Sequence, residues 1–251
     1  MMTVDDLYRT VMAVDPPGAD TPFDTATREH LFGEIWNRPG LSIRDRRLVT
    51  IACVAGADAP KPIDDHVYAA LASGDLSHDE LEEVTLHFAV YCGWPKASAL
   101  EWSLLVQWDR LHKERGEEMP VPPPRPNTEL GVTDLDERIR IGQHEFEVVN
   151  LIEPPAPTTP YFHAGILNFV FGHVWKRPGL SRRDRRLVTV ACVGLSDAQT
   201  PIDSHVGSAL GSGDITWDEM QEIILHFSAY YGVAKGEALH AAAQRWRANN
   251  P

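Results

Sequence analysis

The sequence predicts an all-α protein built from two tandem copies of one helical domain. Three observations predict it. Residues 36–100 return as residues 175–239 at a constant offset with no gap, and 39 of the 65 paired positions are identical. Apolar residues recur at helical spacings of three and four behind capping signals. No segment alternates apolar and polar residues in the manner of a half-buried strand. A repeat longer than a hundred residues exceeds the roughly 20 to 50 residues of a solenoid unit, so it reads as a duplicated domain.

Taken in order, residues 8–17 match residues 146–155 at an offset one shorter, which carries the repeat back toward each copy's start. Ser42 with Asp45 opens a helix whose later part, residues 48–55, is almost wholly apolar; this predicts a central core helix. A short helix follows Pro62, carries His66, Val67, Ala70 and Leu71, and ends at Ser73-Gly74. Ser77-His78-Asp79-Glu80 is a capping box, rewritten in the second copy as Thr216-Trp217-Asp218-Glu219. Behind it Leu81, Val84, Phe88 and Tyr91 form an apolar stripe, and Gly93 or Gly232 stops the helix. Residues 97–115 form a longer amphipathic helix rich in Trp and Leu. Pro120, Pro122, Pro123, Pro124 and Pro126 mark a stiff spacer. The expected organisation is copy one at 1–115, a Pro-rich linker at 116–138 and copy two at 139–251.

Charge and composition narrow the function. A net charge of -13 argues against a nucleic-acid surface, which needs clustered Lys and Arg. No apolar run approaches the roughly 18 residues of a membrane span. The acidic start, Met1-Met2-Thr3-Val4-Asp5-Asp6, lacks the features of a signal peptide. Cys53, Cys92 and Cys192 are widely spaced, with neither a Cys-x-x-Cys pair nor a zinc pattern. Cys53 and Cys192 are repeat equivalents in apolar runs and read as packing residues. A soluble, reducing, cytoplasmic setting is expected.

Candidate chemistry rests on residues that both copies keep. His66 and His205 lie near the start of a helix beside an apolar stripe, where the helix N-terminus favours a neutral, base-competent ring. The bland alternative is a histidine at the core edge, bonded to a carbonyl. His87 and His226, with Tyr91 and Tyr230 four residues on, line the capped helix and rank second as pocket residues. Arg44, Arg46 and Arg47, with Arg183, Arg185 and Arg186, crowd a helix start where cations are mildly unfavourable. They point either to a carboxylate site or to salt bridges with acids such as Asp45 and Asp64. No His-Glu-x-x-His pattern is present, so no metal is expected.

These residues carry a family resemblance. The run Leu41-Ser42-x-Arg44-Asp45-Arg46-Arg47-Leu48-Val49-Thr50, then His66-Val67-x-x-Ala70-Leu71-x-x-Gly74, then Leu86-His87 through Tyr91-x-Gly93, resembles the carboxymuconolactone decarboxylase family, and the second copy matches likewise. The resemblance implies an all-α, alkyl-hydroperoxidase-like fold that builds rings, so that three two-copy chains would make a six-domain ring; a dimer is the other expectation. The hydroperoxidase branch uses a Cys pair where this chain has Ala59 and Pro62, and Ala198 and Pro201. The decarboxylase branch keeps the histidine and uses no cofactor. By resemblance, His66 and His205 transfer the proton, and the arginines hold a small carboxylated lactone or related anion. One departure stands out: the family commonly has Glu where this chain has Arg47 and Arg186. That change favours a rival reading, a non-catalytic helical assembly or binding module. A thiol-dependent antioxidant role is the third.

Overall fold

A computed structural model describes residues 3–120 and 130–250. Pro122, Pro123, Pro124 and Pro126 of the expected spacer lie outside the described residues. Among the described residues there is no strand, in agreement with the all-α expectation. Copy one comprises α1 (Val4–Met12), α2 (Pro22–Ala26), a wide-turned π-helical segment π1 (Thr27–Trp36), α3 (Ile43–Gly56), α4 (Pro60–Ser73), α5 (His78–Cys92) and α6 (Trp94–Arg115). Copy two comprises α7 (Leu135–Asn150), π2 (Tyr161–Phe171), a 3₁₀ turn (Val174–Lys176), α8 (Arg182–Leu195), α9 (Gln199–Gly211), α10 (Trp217–Tyr231) and α11 (Val233–Asn249).

The expected caps form. Ser42 and Ser181 accept from the third backbone N–H of α3 and α8, and Ser77 and Thr216 close full capping boxes on α5 and α10. Two helices start earlier than the pattern suggested. α4 begins at Pro60 and α6 at Trp94, each with a proline in its first positions, where the missing N–H would have had no helical partner anyway. The repeat extends into the backbone: α1 and α7 both end on a left-handed residue, Ala13 at φ 56° and Leu151 at φ 57°.

The copies interlock instead of standing apart. α3 packs on α8 at the centre, α10 lies on α3, and α5 lies on α8. The apolar runs of α3 and α8 are therefore buried from both sides, and Leu48, Val49, Ile51, Leu187, Val188 and Val190 are fully enclosed. Cross-copy ion pairs come in exchanged sets. Arg44 pairs with Asp184 and Arg183 with Asp45; Arg38 pairs with Glu222 and Arg177 with Glu83. The Arg-Pro-Gly turns make the last two possible. A Cβ on Gly40 would lie 2.5 Å from Glu222, and one on Gly179 would lie 2.9 Å from Glu83.

Candidate active site

Each site draws on both copies. In the first, α4 supplies His66, the end of π1 supplies Trp36, and α3 supplies Arg46, Arg47 and Thr50. α10 of the other copy supplies Glu222, His226 and Tyr230. π-helical turns often mark functional sites, and here one sets Trp36 against the histidines. The Trp36 indole N–H donates to the Tyr230 hydroxyl at 2.8 Å. The His66 ring stacks on Trp36, centroids 6.5 Å apart, and meets Tyr230 edge-on at 5.4 Å. The Arg47 guanidinium lies 5.6 Å from the Trp36 ring centre and bonds Asp75 at 2.7 Å.

The second site exchanges the roles. α9 supplies His205, the 3₁₀ turn supplies Trp175, and α8 supplies Arg185, Arg186 and Thr189. α5 supplies Glu83, His87 and Tyr91. Trp175 donates to the Tyr91 hydroxyl at 2.9 Å, and Tyr91 meets His205 edge-on at 5.3 Å. Arg186 lies 5.5 Å from the Trp175 ring centre.

The two kinds of histidine differ sharply in their surroundings. His226 has both ring nitrogens engaged. Arg46 is a pure donor and faces Nδ1 at 3.5 Å, so Nε2 carries the hydrogen and donates to Thr50 Oγ1 at 2.7 Å. His87 repeats this with Arg185 at 3.3 Å and Thr189 at 2.8 Å. Both rings are fully buried. They brace the site across the copies. His66 and His205, by contrast, have a buried Nδ1 with no hydrogen-bond partner. Burial first, then the neighbouring Arg47 or Arg186, pulls each down to about 3. At neutral pH each is an uncharged imidazole with an available nitrogen. The direction matches the expectation but its cause does not: α4 begins at Pro60 and α9 at Gln199, so each histidine is the seventh residue of its helix, beyond the first turn, and burial lowers it instead.

The six arginines separate into three pairs. Arg44 and Arg183 lie on the rim of the central interface, bonded to Glu80 and Asp184, and to Glu219 and Asp45. Of the two acids expected as partners, Asp45 pairs with Arg183 of the other copy. Asp64 instead accepts from Ser103 at 2.6 Å. Arg46 and Arg185 are buried and hold Glu222 and Glu83, the bracing histidines and backbone carbonyls, one for Arg46 and two for Arg185. Only Arg47 and Arg186 stand against the tryptophans beside His66 and His205.

Trp36 and Trp175, Thr50 and Thr189, Glu83 and Glu222, and Asp75 and Asp214 complete the sites. The sequence signal for them was their identity in both copies, with Trp36 and Trp175 standing at the first paired position of the repeat. The cysteines are far apart in sequence. All three are free and belong to the main core: Cys53 and Cys192 are buried in it, and Cys92 packs against it. Burial pushes the Cys53 and Cys192 thiols up, away from the reactive thiolate. Elsewhere, ligand atoms of His78, Asp79 and Glu82 approach within 4.8 Å of one another at the surface start of α5.

Comparison with known proteins agrees with this architecture. The model of the carboxymuconolactone decarboxylase family matches residues 22–103 and again 160–245. The chain belongs to that family and carries its domain twice. A 4-carboxymuconolactone decarboxylase of Acinetobacter baylyi is 38% identical over 84 residues, 33% of this chain and 62% of the relative. A nitrosuccinic acid decarboxylase of Metarhizium robertsii is 34% identical over 91 residues, 35% of this chain and 62% of the relative. The chain thus spans less than two thirds of the length of each. No helix among the described residues is long and apolar enough to cross a membrane.

Proposed function

We propose that this member of the carboxymuconolactone decarboxylase family is a cofactor-independent decarboxylase acting on a small carboxylated lactone or related anion, with His66 and His205 as proton-transfer groups. The observation that carries the reading is the buried, uncharged imidazole with an available Nδ1 beside a buried arginine, present in both copies. Two relatives named as decarboxylases of small acids support the same chemistry.

The reaction asks for three things. The substrate carboxylate needs a cationic partner, which Arg47 or Arg186 supplies. When the carbon–carboxylate bond breaks, carbon dioxide departs and the electron pair moves into a conjugated acceptor on the substrate. The resulting carbanion-like carbon then takes up one proton, so each turnover consumes a proton overall. The imidazole supplies that proton after protonation from solvent. Burial and the adjacent guanidinium hold the imidazole uncharged. A bound carboxylate offsets the second of these and raises proton affinity when the proton is needed. Trp36, Tyr230, Trp175 and Tyr91 give the ring its orientation and keep water scarce.

The test is carbon dioxide release from 4-carboxymuconolactone and from nitrosuccinate by wild type and by the His66→Gln/His205→Gln double variant. Loss of a positioned acid–base group lowers turnover by about 10²–10⁴-fold. A folded double variant that retains wild-type turnover refutes the histidine roles. Absence of carbon dioxide release from either acid by wild type moves the reading to the non-catalytic binding module.

A further inference from the structure

The two sites resemble each other closely but differ at the arginine beside the histidine. Arg186 has all three guanidinium nitrogens engaged by protein. Nε donates to Asp214 at 3.1 Å, Nη1 to the Ser208 hydroxyl at 2.9 Å, and Nη2 to the Val149 carbonyl at 2.5 Å. Arg47 donates only from Nη2, to Asp75. Its Nε and Nη1 have no partner, although the residue is completely buried. Among the six candidate arginines, Arg47 is the one with an unpartnered η nitrogen among the described residues.

The sequence explains the difference. The position that repeats Ser208 is Ala69, which has no hydroxyl to offer. The position that repeats Val149 is Val11, and its carbonyl is not a partner of Arg47. Buried polar groups are nearly always hydrogen-bonded, and a buried cation with unsatisfied N–H groups is especially unfavourable. An arginine left in that condition, against Trp36 and beside His66 and Tyr230, needs an acceptor from outside the chain. A carboxylate is the acceptor whose charge and oxygen geometry match it.

We infer that each chain has one competent carboxylate site, at Arg47, and that the corresponding position at Arg186 is occupied by the chain's own Ser208 hydroxyl and Val149 carbonyl. The inference rests on the proposed function for what the bound acid becomes, and it narrows that function to His66. His205 then belongs to a copy that keeps the architecture while its arginine serves packing.

Calorimetric titration of the full chain with succinate and with 4-carboxymuconolactone tests this, with carbon dioxide release followed in parallel. Wild type should bind one molecule per chain. Ala69→Ser, which gives Arg47 the hydroxyl that Arg186 has, should raise Kd at least tenfold. Ala69→Cys, of similar size but a poor acceptor, should raise it far less. Ser208→Ala should move the stoichiometry from one toward two. Two equal sites per wild-type chain, an unchanged Kd in Ala69→Ser, or no binding of either probe overturns the inference. One-to-one binding without carbon dioxide release sinks the decarboxylase reading and leaves this inference standing. Carbon dioxide release and probe binding both untouched by Ala69→Ser do the reverse.

Discussion

His66 and His205, the proposed proton-transfer groups, also make the stability of the fold depend on pH. Each titrates near 3 in the native protein because burial, and then Arg47 or Arg186, disfavours the cation; a free histidine titrates near 6.5. Between those values the unfolded chain binds more protons than the native one. Stability is therefore complete above pH 6.5 and is lost as pH falls toward 3. Urea unfolding from pH 7 to pH 4.5 should show this acid loss. The His66→Gln/His205→Gln variant should show a shallower slope, by up to about 1.4 kcal/mol per pH unit for each histidine removed. His87 and His226, also pulled well down by burial, keep their share of the slope in that variant. At this scale the sequence was partly legible. The pairs His66 and His205 and Arg47 and Arg186 stood out because both copies keep them. What stayed hidden was which arginine faces which histidine. Arg44, Arg46 and Arg47 lie within four residues, yet one faces the rim, one braces His226 and one lies on Trp36. That sorting depends on helical phase against a partner helix from the other copy, which no local pattern records.

At the scale of elements, the capping signals were the most dependable guide because their physics is local. Ser77 and Glu80 satisfy each other's backbone N–H groups whatever surrounds them, and the box forms with Ser77 Oγ 3.2 Å from the Glu80 nitrogen. Glu80 also bonds Arg44 at 2.8 Å, so the cap of α5 is joined to the start of α3. Ser77→Ala should cost about 1 kcal/mol and Ser77→Gly only a few tenths, since glycine leaves the terminal N–H groups open to water. Thermal or urea unfolding of the two variants checks the difference; equal losses would mean that packing of residue 77, and not the cap, carries the effect. The wide-turned segments Thr27–Trp36 and Tyr161–Phe171 were illegible for the opposite reason. Their turns carry no distinct residue pattern, and they are set by what they pack against: α1 and α10 for the first, α7 for the second. They matter because they deliver Trp36 directly, and Trp175 through the short turn that follows.

At the scale of the whole molecule, duplication lets each candidate site draw side chains from both copies within one chain. His66 meets Tyr230 and His205 meets Tyr91, each contact crossing between the copies. Joining the copies also lets the interface depart from strict two-fold repetition, and Gly56 shows it. Its repeat equivalent is Leu195, and the two meet across the junction of α3 and α8: a Cβ on Gly56 would lie 2.2 Å from a Leu195 methyl. Two leucines would collide there and two glycines would leave a gap. Separate identical subunits would have to accept one or the other, whereas a duplicated chain can place one of each. Gly56→Leu should therefore destabilise by about 1–3 kcal/mol through overpacking. Leu195→Gly should destabilise through a cavity and through glycine's poorer helix propensity. The reciprocal double variant, Gly56→Leu with Leu195→Gly, exchanges the two sides and should recover most of the sum of those losses. Urea unfolding of the four proteins gives the coupling directly. A double variant whose loss equals the sum of the singles would mean that the sites act independently and that the two residues do not share one space at the centre of the molecule.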